Sequence, residues 1–265
     1  MDWDDAYANG PHIAGADQFP PRWQATAQAF REVAPPRVLT YGPGPRNWLD
    51  LFLPSRAPCG LAVFVHGGYW MAFDARSWSH LAQGALDRGW AVAMPTYTLC
   101  PMIRIGAIVQ EVAQAIGCAA AEVDGPIRLA GHSAGGHLVS RMVCRTGPLA
   151  SGLTGRIDHV LSISGVHDLR PLRRTRMNET LQIDQHEADL ESPVLLEPVD
   201  GARLTCWVGE RERPEFLRQN ALLANIWTGL GAHTQAVEDP ARHHFDVIDA
   251  LSDSRSDLLK TWLEG

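Results

Sequence analysis

The 265-residue sequence is short of several things that would direct its reading elsewhere. Its five cysteines, at positions 59, 100, 118, 144 and 206, form no Cys-x-x-Cys pair and no zinc-ligand spacing. This argues against a disulfide scaffold and a cysteine-held metal. No apolar run approaches the roughly 18 residues that cross a bilayer. Positive charge is in deficit: 23 Lys plus Arg against 30 Asp plus Glu leave a formal net charge of -7. Such a chain has no field with which to recruit nucleic acid or an anionic membrane. The acidic start, Met1-Asp2-Trp3-Asp4-Asp5, is unlike a secretory or mitochondrial leader. Internal repeats and low-complexity segments are missing too. What remains is the balance of an ordinary globular protein, 45% hydrophobic and 20% charged. A cytoplasmic location is expected, and the length suits one large α/β domain over 1–265.

Along the chain, residues 1–36 read as an N-terminal arm with a short amphipathic helix that carries Trp23, Ala27 and Phe30. Arg37 to Tyr41 and Asn47 to Leu53 read as an antiparallel pair around a Gly/Pro-rich turn. Beyond them strands alternate with helices. The strands are Leu61 to Val65, Trp90 to Met94, Ile127 to Ala130, Val160 to Ile163, Arg203 to Val208 and Thr234 to Val237. The helices are Ser77 to Arg88, Ile103 to Ala121, Gly136 to Cys144, Pro214 to Leu230 and a terminal one over Phe245 to Leu263. Residues 166–200 break the rhythm and read as a small cap over one end of the sheet. The alternation predicts an α/β fold: a mostly parallel sheet, an antiparallel N-terminal pair and helices on both faces.

Gly131-His132-Ser133-Ala134-Gly135 matches Gly-x-Ser-x-Gly between a predicted strand and a predicted helix, the setting of a nucleophile elbow. The two glycines permit a close approach of strand and helix. The helix N-terminus favours negative charge near the Ser133 hydroxyl. A Gly-rich turn with Ser133 as a mere helix cap is the plain alternative. Upstream, His66-Gly67-Gly68-Tyr69-Trp70 ends another buried strand. Glycines there let backbone N–H groups face an oxyanion, beside the N–H of Ala134.

These segments, with Ser164-Gly165-Val166-His167-Asp168-Leu169 and His244-Phe245, resemble the α/β-hydrolases, and within them the kynurenine formamidase (arylformamidase) branch and its bacterial esterase relatives. Tyr97-Thr98-Leu99-Cys100-Pro101 is similar to a Tyr-x-Leu-x-Pro segment of hormone-sensitive-lipase-like esterases. The likeness spans roughly residues 37 to 262. The resemblance implies an α/β-hydrolase fold and a triad in the order Ser, acid, His.

The acid then belongs in Gly209-Glu210-Arg211-Glu212-Arg213-Pro214-Glu215-Phe216. The family's Gly-x-x-Asp-x-x-Glu-Phe pattern puts Glu212 at the Asp position, one methylene longer. Glu210 and the more distant Asp168 are the rivals, and Glu215 reads as a first-turn helix residue. The family's His-Phe step selects His244 as base over its neighbour His243, within hydrogen-bond reach of Ser133, about 2.6–3.2 Å or somewhat looser without substrate. His66 is expected to shape the oxyanion loop, and His132 and His137 to be structural or pocket-lining.

The resulting expectation is a serine hydrolase with Ser133, His244 and Glu212 as its triad. Gly67, Gly68, Tyr69, Trp70 and Ala134 form the oxyanion and substrate site, and neither metal nor cofactor is required. Tyr69, Trp70 and the 166–200 cap are expected to wall the pocket. The expected partner is a small-molecule acyl substrate, with no nucleic acid and no membrane; a homodimer is allowed. The reaction is removal of a small acyl group, from a formamide such as N-formylkynurenine or from a short ester, with an aromatic leaving group. A general carboxylesterase or thioesterase is the alternative, and a non-catalytic small-ligand-binding homologue a minor one.

Overall fold

The computed structural model describes all residues, Met1–Gly265. Its frame is eight strands: β1 (Arg37–Thr40), β2 (Trp48–Phe52), β3 (Leu61–Val65), β4 (Ala91–Pro95), β5 (Ile127–His132), β6 (Ile157–Ile163), β7 (Arg203–Gly209) and β8 (His233–Asp239). They form one sheet in the order β1-β2-β4-β3-β5-β6-β7-β8. The β1–β2 and β2–β4 pairings are antiparallel and every later pairing is parallel. The reversal between β3 and β4 brings the carboxyl ends of β3 and β5 side by side, Val65 opposite Gly131. Both sequence motifs begin at those ends.

Strands β3, β4 and β5 are buried along their whole length. In β3, Leu61, Val63 and Val65 join one core while Ala62 and Phe64 join another. The strand's two-residue period thus feeds both layers. Ten helices complete the chain: α1 (Trp3–Tyr7), α2 (Phe19–Val33), α3 (Gln83–Asp87), α4 (Ile105–Ala120), α5 (Ala134–Arg141), α6 (Ser151–Thr154), α7 (Asn178–Leu181), α8 (Gln185–Glu191), α9 (Pro214–Gly229) and α10 (Asp257–Glu264). Helices α4, α5 and α9 supply the first core through residues such as Val112, Leu138 and Trp227. Helices α2, α3 and α10 supply the second through Trp23, Ala85 and Trp262.

Two expected helices differ. Ser77 to Arg88 is split into 3-10 turns (Ala75–Ser77 and Ser79–Ala82) followed by the short α3. Phe245 to Leu263 is not one helix but a 3-10 turn at Asp249–Ser252 and then α10. Hydroxyl and carboxylate side chains in Ser252-Asp253-Ser254-Arg255-Ser256 compete with a helical backbone. Ser256 Oγ donates to the Ala250 carbonyl at 2.6 Å and accepts the Leu259 N–H at 3.1 Å, closing the turn and capping α10. The apolar pattern survives the break, since Ile248, Leu251, Leu258 and Trp262 are all buried.

Candidate active site

Gly131 and Gly135 are required by packing. A Cβ on Gly131 would sit 2.1 Å from the Gly135 carbonyl oxygen, and one on Gly135 would sit 2.0 Å from that of Val65. The start of α5 is therefore pressed against β3 and β5 at closer range than any side chain allows. Between them Ser133 has φ 56° and ψ -117°. Such a conformation typically costs about 1–3 kcal/mol and persists where the surroundings over-determine it. Here the Ser133 N–H is held by the Ile163 carbonyl at 2.8 Å.

The loop after β3 is wound tightly. Gly68, Tyr69 and Trp70 have successive φ values of 107°, 49° and 56°. A Cβ on Gly68 would lie 2.5 Å from the Ala72 carbonyl oxygen. The Gly68 carbonyl accepts from Met71 and Ala72, while the N–H groups of Gly68 and Tyr69 have no acceptor in the chain. His66 supports this loop. It bonds to the Gly67 carbonyl at 2.7 Å through Nδ1, and its ring stacks on Tyr97 at 4.3 Å with 8° between planes. Tyr97 donates to the His66 carbonyl at 3.0 Å. Burial pushes His66 down to about 4, so the ring is a neutral strut.

Glu212 and His244, 32 residues apart, meet at 2.6 Å between Oε2 and Nδ1. Glu212 Oε1 accepts from the Gly209 N–H at 2.9 Å and from Ser164 Oγ. A carboxylate with one oxygen so engaged can only accept, so Nδ1 carries the proton and Nε2 is left as the basic nitrogen. Both residues are buried, and the His244 ring rests on Phe216 at 4.4 Å. His132 fixes the backbone here by donating from Nε2 to the His244 carbonyl at 2.9 Å. Burial, and then the nearby His244, hold His132 well below the ordinary histidine range. His244 and Ser133 line the same cavity without a hydrogen bond between them. Such looseness is usual before substrate tightens a site.

The rivals are engaged elsewhere. Glu210 Oε2 accepts from the exposed Ala241 N–H. Asp168 pairs with Arg170 at 2.8 Å. Glu215 binds Tyr7, Arg218 and Gln219. His243 meets Asp246 at 3.2 Å and packs edge-on against Phe19. His137 bonds to the Glu191 carbonyl behind the elbow.

The cavity at Ser133 has a volume of about 390 Å³, within the span of small-molecule sites. Two expectations about its walls are corrected. Trp70 does not line it: that side chain is fully buried in the core, edge-to-face with His137 at 5.2 Å. The successive positive φ values send Tyr69 to the cavity and Trp70 away from it. The 166–200 segment contributes Met177 alone. Glu187 and Glu191 of α8 tie that segment to Arg104 and Arg141, beside α4 and in α5.

The missing wall is the N-terminal arm, through Tyr7, Asn9, Pro11, Pro20 and Trp23. Tyr7 latches it down: its hydroxyl donates to Glu215 at 2.8 Å and accepts from Gln219 at 3.1 Å, while its carbonyl accepts from Tyr69 at 2.6 Å. Met71, Phe73, Trp78 and Phe245 complete the apolar lining. Gly67 and Ala134, expected at the oxyanion site, are not among the lining residues but both adjoin Ser133: Gly67 is packed against His132 and Ser133, and Ala134 follows Ser133 as the first residue of α5. No group of three or more His, Cys, Asp or Glu side chains is arranged to hold a metal ion.

The chain matches the BD-FAE family model over residues 49–197, which include the loop after β3 and the elbow. Kynurenine formamidase of Salmo salar is 25% identical over 263 residues, 96% of this chain and 87% of that protein. A crystal structure from Silicibacter sp. TM1040, provisionally named a thioesterase, is 53% identical, with 99% of both chains covered and a TM-score of 0.92. The carboxylesterase EstE1, from a metagenomic library, is 17% identical and shares the fold, with a TM-score of 0.68 over 93% of this chain and 97% of that one. The protein is an esterase- or formamidase-like hydrolase, and the chain belongs to the BD-FAE family of α/β-hydrolases.

Proposed function

We propose that the protein is a serine hydrolase that removes a small acyl group from an aromatic leaving group, with Ser133 as nucleophile, His244 as base and Glu212 as the orienting acid. The observation that carries this reading is the 2.6 Å contact between Glu212 and His244 at the cavity shared with Ser133. Nε2 of His244 takes the Ser133 proton as Oγ attacks the substrate carbonyl, and Glu212 stabilises the imidazolium that forms. The N–H groups around Gly68 and that of Ala134 receive the developing oxyanion, each worth about 2.7–4 kcal/mol in comparable sites. The imidazolium then protonates the leaving group. Water, activated by the same histidine, attacks the acyl-enzyme and releases the acid.

A formamide would yield formate and an arylamine, and an ester a carboxylic acid and an alcohol. The likeness to kynurenine formamidases supports the formamide arm. The 53% identical Silicibacter protein, with its provisional thioesterase name, favours a second reading, short-chain ester or thioester cleavage. One panel decides: N-formylkynurenine, p-nitrophenyl esters from acetyl to decanoyl, and acyl thioesters, each with wild type and Ser133→Ala. A rate that peaks at short acyl chains and vanishes in the variant is expected. Steadily rising rates up to decanoyl, with N-formylkynurenine untouched, would make it a general carboxylesterase. Fluorophosphonate labelling that survives Ser133→Ala would remove Ser133 from its role.

A further inference from the structure

The wall of the Ser133 cavity contains no Asp, Glu, Lys or Arg side chain. Charges do lie nearby, but on the outer side of the arm, and they are paired there. Asp5 meets Arg213 and His12, and Asp4 meets Arg176 at 3.1 Å. Arg176 directly precedes the wall residue Met177, yet its side chain is 84% exposed and its guanidinium is engaged by Asp4. The hydroxyls of Tyr7 and Tyr69 are likewise committed as donors, to Glu215 and to the Tyr7 carbonyl. Apart from the proposed catalytic group and its neighbour His132, the wall's open hydrogen-bonding groups are the enclosed indole N–H of Trp23 and of Trp78, which can only donate, and the Asn9 amide, which can both donate and accept. Asn9 is buried to 7% exposure and makes no side-chain hydrogen bond in the chain. An amide can serve a neutral polar atom with both a donor and an acceptor, and it cannot neutralise an ion.

We propose that the leaving group is an uncharged aryl alcohol or aryl amine, with Asn9 as the polar contact for a neutral substituent, and that substrates with an ionic group on the ring or its side chain are rejected. This inference rests on the acyl-transfer reading of the same site. It selects neutral aryl esters and anilides over N-formylkynurenine, whose amino-acid headgroup carries two charges. Burying either charge among Trp23, Phe73 and Trp78 without a counter-ion is far more costly than burying a neutral ring. An ordinary hydrophobic pocket discriminates weakly on shape, so charge is the property by which this wall selects most sharply.

The test compares kcat/KM for phenyl acetate, 4-acetoxybenzoate, formanilide and N-formylkynurenine on the intact protein, with fluorophosphonate labelling of Ser133 alongside. Phenyl acetate should exceed 4-acetoxybenzoate, and formanilide should exceed N-formylkynurenine, each by about 100-fold or more. Asn9→Lys should raise 4-acetoxybenzoate relative to phenyl acetate by at least about tenfold, the worth of one charge-assisted hydrogen bond. Equal rates within each pair on a protein labelled at Ser133 would overturn the inference alone. A ratio unmoved by Asn9→Lys in a folded variant would overturn the role of Asn9. A chain that is neither labelled nor hydrolytic would take down the acyl-transfer reading and this inference with it. The comparison on the unmodified protein stands whether or not the variant folds.

Discussion

Oε2 of Glu212 lies 2.6 Å from Nδ1 of His244 while its partner oxygen accepts from the Gly209 N–H and from Ser164 Oγ. Three donors therefore fix one carboxylate, and the carboxylate fixes one imidazole. The longer glutamate chain is accommodated because the turn after β7 curls back, placing Gly209 N–H under the carboxylate of the residue three positions on. Ser164 reaches it from the end of β6 with φ 52°, a strained position that aims its hydroxyl.

Glu212→Gln is expected to keep the fold and to lower kcat by orders of magnitude. The amide can present its N–H to Nδ1 and favour the wrong tautomer. The corresponding Asp-to-Asn change in a well-studied serine protease costs about 10⁴. Steady-state kinetics with an activated ester read the effect, and circular dichroism reads the fold. Glu210→Gln, altering a carboxylate bound only to the Ala241 N–H, should run at the wild-type rate. The reverse outcome would transfer the acid's role to Glu210.

Gly68→Ala should be nearly inactive. The residue has φ 107°, and the added methyl would meet the Ala72 carbonyl oxygen at 2.5 Å. The loop must then shift, and with it the free N–H groups proposed to bind the oxyanion. Losing one such donor typically costs about 10²–10³ in kcat. The expected signature is a fall in kcat with little change in KM, since the ground-state carbonyl is held less strongly than the oxyanion. A wild-type kcat for the folded variant would move the oxyanion site away from this loop.

Much of this site was legible in the sequence because its parts sit at strand ends. Leu61 to Val65 is a continuous apolar run and Ile127 to Ala130 a mostly apolar one broken by Arg128; both are strands buried along their length, and Gly-rich motifs directly follow both. Glu212 and His244 follow later strands in the same way. The cavity walls were less legible. Tyr7 bonds to Glu215 across 208 positions, and nothing local to the arm announces that contact. Trp70 follows Tyr69 directly, but the positive φ values at Gly68, Tyr69 and Trp70 separate the two side chains, and periodicity arguments assume regular dihedrals. The 166–200 segment was misplaced over the pocket for a related reason. Its anchoring ion pairs, Arg104 with Glu187 and Arg141 with Glu191, join residues dozens of positions apart. Ser164 lay within a recognised motif, yet its part became visible only beside Glu212.

The protein should lose stability on mild acidification, before its carboxylates titrate. Burial pushes His66 down to about 4 and His137 and His167 down to about 3, the last also through the charge of His137 nearby. In the unfolded chain these rings titrate near 6.5. Below that pH the unfolded state binds protons that the folded state refuses, so stability is complete above about pH 7.5 and falls as pH drops toward 4. At pH 5.5 each of these three fully enclosed rings contributes a loss of about 1.4 kcal/mol, roughly 4 kcal/mol together. Urea denaturation at pH 7.5 and pH 5.5 measures the difference, to which the other buried histidines such as His132 add, and His167→Gln should remove about 1.4 kcal/mol of it. A stability that stayed flat between those two pH values would mean that these rings gain protons in the folded protein, against their enclosure in the core.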